Sequence, residues 1–372
     1  MVKALRQDMF SLPKGAGSSA TYVILRKAPP TNESLFLEQV LISPSESSVS
    51  KRDHSFISRY LIDPDLYASV NDGDIGLFTG RGFLRVALTS RANHNTLLVT
   101  ERCDNFCKFC SQPPKNRNDD WLLVQAAMAL AAFNTSSQVG ISGGEPLIYR
   151  SSFIRFLKFI AEHSPKTPLH ILSNGRAFSD LDFTLDVAYQ CQDKLHSFGI
   201  PLYSSVAESH DYLVGIRGAF RETIKGLINA GNSGIPIELR IIPTKYNLSD
   251  LEATVLLVSR CLSNLSQISI MNLEPTGWAK QNWHDLYVEP VRYIRELASA
   301  IDAAERAHIP ICLYNFPLCH LPTELHHYAV KSISDWKNYY PEECEGCRLR
   351  NQCGGYFVSS RGVFHQSARK VP

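Results

Sequence analysis

Residues 97–115 read LLVTERCDNFCKFCSQPPK, an apolar run followed at once by three cysteines within eight residues. Cys103, Cys107 and Cys110 stand as C-x3-C-x2-C directly behind what reads as a buried strand. In (β/α) barrels the functional loops follow the C-terminal ends of the strands, so this is the expected place for a reactive centre. A structural zinc site normally closes its shell with four protein ligands. An iron–sulfur cluster also usually takes four cysteines. Three thiols with no fourth beside them therefore predict a metal centre with one corner left open. The plainer alternative is a zinc knot that borrows a distant ligand, such as His94.

Outward from this stretch, the chain alternates short strand-like runs with amphipathic helical ones. TLLVT (96–100), QVGIS (138–142), LHILS (169–173), GIPLYSS (199–205), IELRIIP (237–243) and QISIMNL (267–273) are nearly continuously apolar. That is the pattern of strands buried on both faces of a parallel sheet. Between them lie helices with recognisable starts. Asp119 and Asp120 precede one that begins near Trp121, and Ser151 or Ser152 can cap another carrying Phe153, Phe156, Leu157 and Ile160. Ser249 with Glu252 has the form of a capping box, and Pro290 suits the first turn of VRYIRELASAIDAAERAH. Six β/α repeats, short of the eight of a full TIM barrel, predict an α/β fold with a partial, open (β/α)6 barrel over residues 91–308. Residues 1–90 lack the alternation and read as a small β-rich domain broken by APPTNES, SPSESS and NDGDIG. Residues 309–372 are irregular and rich in Cys, Pro and aromatics, a separate C-terminal extension.

Composition narrows the class. With 44% hydrophobic and 20% charged residues the chain can bury an ordinary core. A net charge of +2 and no long basic block speak against a nucleic-acid partner. The first residues, MVKALRQDMFSLPKGAGSS, show no apolar core of a secretory signal, and LLVQAAMALAAF (122–133) is too short to span a bilayer. The expectation is a cytoplasmic protein without a membrane partner, whose ten cysteines are metal ligands or small hydrophobes, not disulfides.

The second strand ends in ISGGEPLI, where Gly143 and Gly144 let a ligand approach the backbone, Glu145 offers a carboxylate and Pro146 stiffens the exit. Paired with C-x3-C-x2-C one β/α unit earlier, this segment resembles the radical S-adenosylmethionine (SAM) enzymes. In that family the resemblance implies a [4Fe–4S] cluster held by Cys103, Cys107 and Cys110, with SAM chelating the fourth iron. Phe109 falls at the family's aromatic position, and Gly143, Gly144, Glu145 and Pro146 would meet the SAM amino group. By the same resemblance Ser173 and Asn174, in LSNGR, lie near the SAM pocket. The family's frequent S-x-D-G ending is replaced by YSSVAESHD, which leaves Ser205 as the candidate ribose contact. Arg240, inside the fifth strand, is a candidate partner of the SAM carboxylate or a structural salt bridge.

A second thiol set stands in the C-terminal segment: Cys344, Cys347 and Cys353 as C-x2-C-x5-C-G-G, with Cys319 upstream in NFPLCHLP. Four thiols suit a closed cluster or a closed zinc site equally by count. The arrangement resembles the auxiliary-cluster extensions, of shortened SPASM or twitch type, of radical SAM peptide maturases, which implies a second [4Fe–4S] cluster. Cys191, Cys261 and Cys312 sit in apolar surroundings and read as small hydrophobes. His210 and Asp211 read as helix-start hydrogen-bonding groups or as groups that position substrate, and Glu274 and Trp278 as substrate contacts or packing against the C-terminal segment.

More narrowly, HNTLLVTERCDNFCKFCSQPPK, GISGGEPL, HDYLVGIRGAF, MNLEPTGWAK, NFPLCHLP and ECEGCRLRNQCGGYF together resemble the maturase C subfamily of the His-Xaa-Ser peptide system. That resemblance implies reductive cleavage of SAM to a 5′-deoxyadenosyl radical and modification of a ribosomally made precursor peptide. It also implies a sister radical SAM maturase and a flavodoxin- or ferredoxin-like electron donor as partners. Two alternatives stay open: a radical SAM enzyme acting on a small molecule, and a non-catalytic cluster-binding partner of a sister enzyme.

Overall fold

The computed structural model describes residues 21–28, 32, 34–44, 59–78, 84–92, 94–192, 196–333, 337–364 and 366–371. The stretch read for a secretory signal lies outside these residues, as do parts of the breaks APPTNES and SPSESS. The chain divides into two compact units. One comprises the residues up to Arg102 with Asn116–Leu172 and Tyr189–His196, the other Cys103–Lys115, Ser173–Ala188 and the chain from Ser197 onward.

The first unit holds a five-stranded mixed sheet in the order β3-β2-β1-β4-β5, formed by β1 (Thr21–Arg26), β2 (Gln39–Pro44), β3 (Arg59–Ile62), β4 (Ile75–Phe78) and β5 (Leu84–Leu88). Helix α1 (Pro64–Ser69) starts on Asp63, whose carboxylate accepts from the Asp65 and Leu66 amides, with proline in the first turn where its missing N–H costs nothing. Val23, Leu25, Val40, Ile42, Ile62 and Val70 form the core beneath. Three parallel strands follow, β6 (Asn95–Thr100), β7 (Val139–Gly143) and β8 (Leu169–Leu172), connected through α2 (Asp120–Phe133) and α3 (Ser151–His163). Helix α2 is buried nearly all round because it packs against β1, β6 and α3 at once, which accounts for its apolar sequence. Its one central polar side chain, Gln125, accepts the Tyr22 amide at 3.3 Å.

Helix α4 (Leu181–Cys191) leads on to the second unit's five parallel strands: β9 (Ser197–Pro201), β10 (Ile237–Ile241), β11 (Leu265–Met271), β12 (Ile311–Tyr314) and the two-residue β13 (Ala329–Val330). The helices here are α5 (Ala207–Val214), α6 (Ala219–Asn232), α7 (Leu251–Cys261), α8 (Gly277–Gln281), α9 (Trp283–Leu286) and α10 (Ile294–Arg306). A short antiparallel pair, β14 (Asn338–Tyr339) with β15 (Tyr356–Phe357), closes the chain's last segment.

Several sequence expectations are corrected here. The six-strand count misses β12, which pairs in parallel with β11 although ICLY lies in the segment read as irregular. Strands β10 and β12 alternate, with Ile237, Leu239, Ile241, Ile311 and Leu313 buried and Glu238, Arg240, Cys312 and Tyr314 only partly so, whereas β11 buries Ile268, Ser269 and Ile270 in succession. Strand β9 stops at Pro201, well short of Ser205. Pro290 sits in a separate 3-10 turn because Tyr293, with ψ 29°, interrupts the run before α10. The Ser249 capping box does not form, since residues 248–250 make a 3-10 turn that runs directly into α7. No side-chain cap opens α3, which starts after Arg150 at φ 48°.

Candidate active site

The three-cysteine loop is held by its backbone. The Phe106 and Lys108 amides donate to the Val214 and Leu213 carbonyls at the end of α5, at 2.9 and 2.8 Å. The Cys110 carbonyl accepts from the Trp278 amide at 2.9 Å, and the Lys108 carbonyl from Asn282 Nδ2 at 2.7 Å. Gly277, at φ +51°, is required at this junction: a Cβ there would stand 2.3 Å from the Cys110 carbonyl oxygen. Phe109 is buried in an apolar cluster with Leu213, Leu273 and Trp283, edge-on to Tyr203 at 4.7 Å. Cys107 packs against the same cluster. Burial pushes its thiol well up, and neighbouring Cys103 and Cys110 push in the same direction. Burial raises Cys110 as well. Such a set keeps its protons until a cation arrives to replace them.

A polar clamp orients the loop's first turn. Asn174 Nδ2 donates to Asp104 Oδ1 at 2.6 Å, and Asn174 Oδ1 accepts the Arg176 amide. Arg176 donates to the Asp104 carbonyl and to Asn105 Oδ1 at 2.8 and 2.7 Å, and pairs with Glu222 on α6. Ser173 is buried and accepts the Gly175 amide, so it shapes the turn itself. Sequence reasoning passed over Arg176 and Asp104, although both lie within motifs it quotes.

Ser205 is half-exposed, while its buried neighbour Ser204 makes the structural contacts, donating to Asp250 and accepting the Val206 amide. Arg240 Nη2 donates to the Met271 sulfur at 2.9 Å, and its buried Nε makes no hydrogen bond but pairs with Glu238 Oε1 at 3.9 Å. The Glu238 contact fits the structural salt bridge that the sequence leaves open for this arginine. His210 Nδ1 accepts the Tyr203 amide at 3.2 Å, and burial lowers its pKa to about 4. Asp211 accepts the Phe220 amide in the first turn of α6. Trp278 stacks on Phe106 of the cysteine loop, and Glu274 pairs with Lys337 of the C-terminal segment.

Within the first unit, the Gly143–Pro146 turn is built by close strand approach. A Cβ on Gly143 would stand 2.4 Å from the Thr100 oxygen. The Gly144 and Glu145 amides donate to the Thr100 and Arg102 carbonyls. Glu145 is buried and accepts the Leu147 amide, starting the 3-10 turn that Pro146 opens. Asp119, read as a helix start, sends its buried carboxylate instead to Thr100 Oγ1, Arg102 Nε and Tyr149 Oη.

The C-terminal thiols converge. Cys319, Cys344, Cys347 and Cys353 line one open-sided pocket together with Tyr340, Tyr356, Arg350 and Arg369. Cys319 and Cys344 come from 3-10 turns (Leu318–His320 and Glu342–Cys344). The Cys353 sulfur accepts the Leu318 and Gly355 amides at 3.4 and 3.3 Å. Cys344 is raised to about 11, first by burial and then by the three other thiols. Among the described residues, no three His, Cys, Asp or Glu side chains gather closely enough to hold a single metal ion.

Of the remaining cysteines, Cys191 is buried and pushed to about 12, as a small hydrophobe should be. Cys261 is exposed at the end of α7 and Cys312 is half-buried on β12, which corrects the reading of both as core residues.

Fold and site together define an α/β protein with a three-thiol loop behind a parallel strand. Residues 97–258 match the family model of the Radical SAM superfamily. A probable GTP 3′,8-cyclase of Pyrobaculum aerophilum is 23% identical over 257 residues, covering 67% of this chain and 77% of that protein. A PqqA peptide cyclase of Ruegeria pomeroyi is 26% identical over 215 residues, covering 57% and 54%. The structure of Streptococcus suis SuiB bound to S-adenosylmethionine aligns with a TM-score of 0.47 at 18% identity, covering 66% of this chain and 52% of that one. The chain thus spans about half the length of the last two proteins. The match supports the radical SAM superfamily and its α/β fold with a partial barrel-like sheet, and the similarity to enzymes of that superfamily marks the protein as an enzyme. The superfamily match implies a [4Fe–4S] cluster and SAM. No helix among the described residues is long and apolar enough to cross a membrane.

Proposed function

We propose that this enzyme is a peptide maturase that modifies a ribosomally made precursor of His-Xaa-Ser type, together with a sister radical SAM maturase and a flavodoxin- or ferredoxin-like donor. The observation that carries the reading is the C-terminal cavity, where four cysteines gather in the pattern of maturase auxiliary-cluster extensions. The similarity to a PqqA peptide cyclase supports the same substrate class. In this reading Cys103, Cys107 and Cys110 hold the first cluster, which with SAM supplies a 5′-deoxyadenosyl radical for hydrogen abstraction. The chain's own part is positioning. Asn174 and Arg176 fix the loop through Asp104 and Asn105, and Phe109 with Tyr203 backs it with a dry apolar wall. Gly143–Pro146 and Ser173 are proposed to border SAM, with Arg240 receiving its carboxylate and Ser205 its ribose. Cys319, Cys344, Cys347 and Cys353 hold the second [4Fe–4S] cluster.

The test is anaerobic reconstitution with iron and sulfide, followed by SAM, dithionite and the co-encoded precursor peptide. A mass change in the peptide that requires both SAM and the triad cysteines is expected. SAM cleavage with an unmodified peptide would support the second reading, a small-molecule substrate, which the GTP cyclase similarity favours. Loaded clusters without any SAM cleavage, even with the peptide and sister enzyme present, would point to a scaffold.

A further inference from the structure

The C-terminal cavity contains a side chain whose polar end addresses one of its four sulfurs. Tyr356, on β15, is buried, and its hydroxyl stands 3.2 Å from Cys319 Sγ and 3.4 Å from His320 Nε2. The direction of the O–H follows from the third partner. His320 Nε2 lies 2.6 Å from the Ser367 carbonyl, and a carbonyl only accepts, so Nε2 carries the hydrogen there. With no lone pair on that nitrogen, the phenol proton has the Cys319 sulfur as its acceptor. A thiolate ligand has no proton of its own, which fixes the same direction once a metal group is held.

We infer that Tyr356 acts through Cys319, donating a hydrogen bond that raises the reduction potential of the group held by the four thiols. The inference rests on the reading of that group as a [4Fe–4S] cluster. Hydrogen bonds to ligand sulfurs stabilise the more negative, reduced state and are one of the protein's main controls on cluster potential. Two amides already address Cys353, so the Tyr356 phenol is the side-chain member of a donor set aimed at the sulfurs. Removing only the hydroxyl leaves the ring's packing on His320 and Tyr339 in place.

The test uses the full chain carrying Cys103→Ala, Cys107→Ala and Cys110→Ala, so that only the C-terminal set can be loaded. It is reconstituted with iron and sulfide, with and without Tyr356→Phe, and titrated with dithionite under mediators while the reduced cluster is followed by electron paramagnetic resonance. Equal iron per chain in both proteins, with a midpoint shifted to more negative potential in Tyr356→Phe, is the expected result. An unchanged or more positive midpoint at equal iron overturns the inference. Loss of iron on Tyr356→Phe alone also overturns it, because the residue would then serve to hold the group in place. Failure of the parent to take up iron at all overturns the cluster reading, and the inference falls with it.

Discussion

The two cysteine sets of the second unit are built differently. In the triad loop most scaffold contacts fall on the backbone and on Asp104: Phe106, Lys108 and Cys110 are pinned by main-chain bonds, and Arg176 grips the turn. At the triad sulfurs, the Asn105 amide stands 3.4 Å from Cys103, and Cys110 donates to the Gln112 carbonyl at 3.0 Å. In the C-terminal cavity the donors reach the sulfurs themselves, two amides on Cys353 and a phenol on Cys319. In the function proposed above, the first arrangement fixes where three thiols stand and leaves a corner for SAM, and the second surrounds a closed set and adjusts its charge. The contrast fits one cluster that must bind and release SAM and another that need not.

The largest expected effect breaks the comparison outright. Replacing Cys103, Cys107 and Cys110 with alanine should abolish 5′-deoxyadenosine formation and lower iron from about eight to about four per chain, the content of one remaining [4Fe–4S] cluster.

Next comes acid. His210 lies behind the triad's apolar wall, stacked on Tyr203, with its pKa held near 4 by burial. The unfolded chain takes up this proton near pH 6.5 and the folded chain resists it until about pH 4. The unfolded state therefore binds more protons in that window, and stability falls as pH drops through it, by at most about 3 kcal/mol. Denaturant titrations from pH 7 to pH 4 should show the slope, and a folded His210→Gln variant should flatten it.

Gly277→Ala drives a Cβ into the Cys110 carbonyl at a positive φ. A loss of about 1–3 kcal/mol in denaturant unfolding is expected, with iron lost from the triad and the C-terminal cluster retained. Arg176→Met removes the bonds to Asp104 and Asn105, and should cost about 1–2 kcal/mol with slower SAM cleavage. Ser205→Ala should stay within about 0.5 kcal/mol in stability, as an ordinary surface change does. A rise in the KM for SAM at unchanged stability would support its ribose role, and no change in KM would remove it.

How much of this was legible in the sequence depended on whether the determinant was local. C-x3-C-x2-C and C-x2-C-x5-C are contiguous and so plain in the sequence, whereas Cys319 joins the second set from the separate turn Leu318–His320. Strand β12 was missed because ICLY is four residues long and lies among prolines and cysteines that mask its period. Ser205 holds the motif position, but β9 ends four residues earlier and Ser204 is the serine that turns inward. Arg176 and Asp104 come together from distant positions around the loop. Tyr356 meets Cys319 only through the fold of the last segment. No periodicity in the sequence encodes such pairings.

The central claim is that one thiol set is open to SAM and the other is closed. Mössbauer spectra of iron-57-reconstituted protein, wild type and triad variant, recorded with and without SAM, test it most directly. The account predicts two clusters in wild type, with SAM altering one iron of the cluster that the triad variant lacks and leaving the variant's spectrum unchanged. A SAM-induced change that persists in the triad variant, or a wild-type protein holding one cluster only, would contradict it.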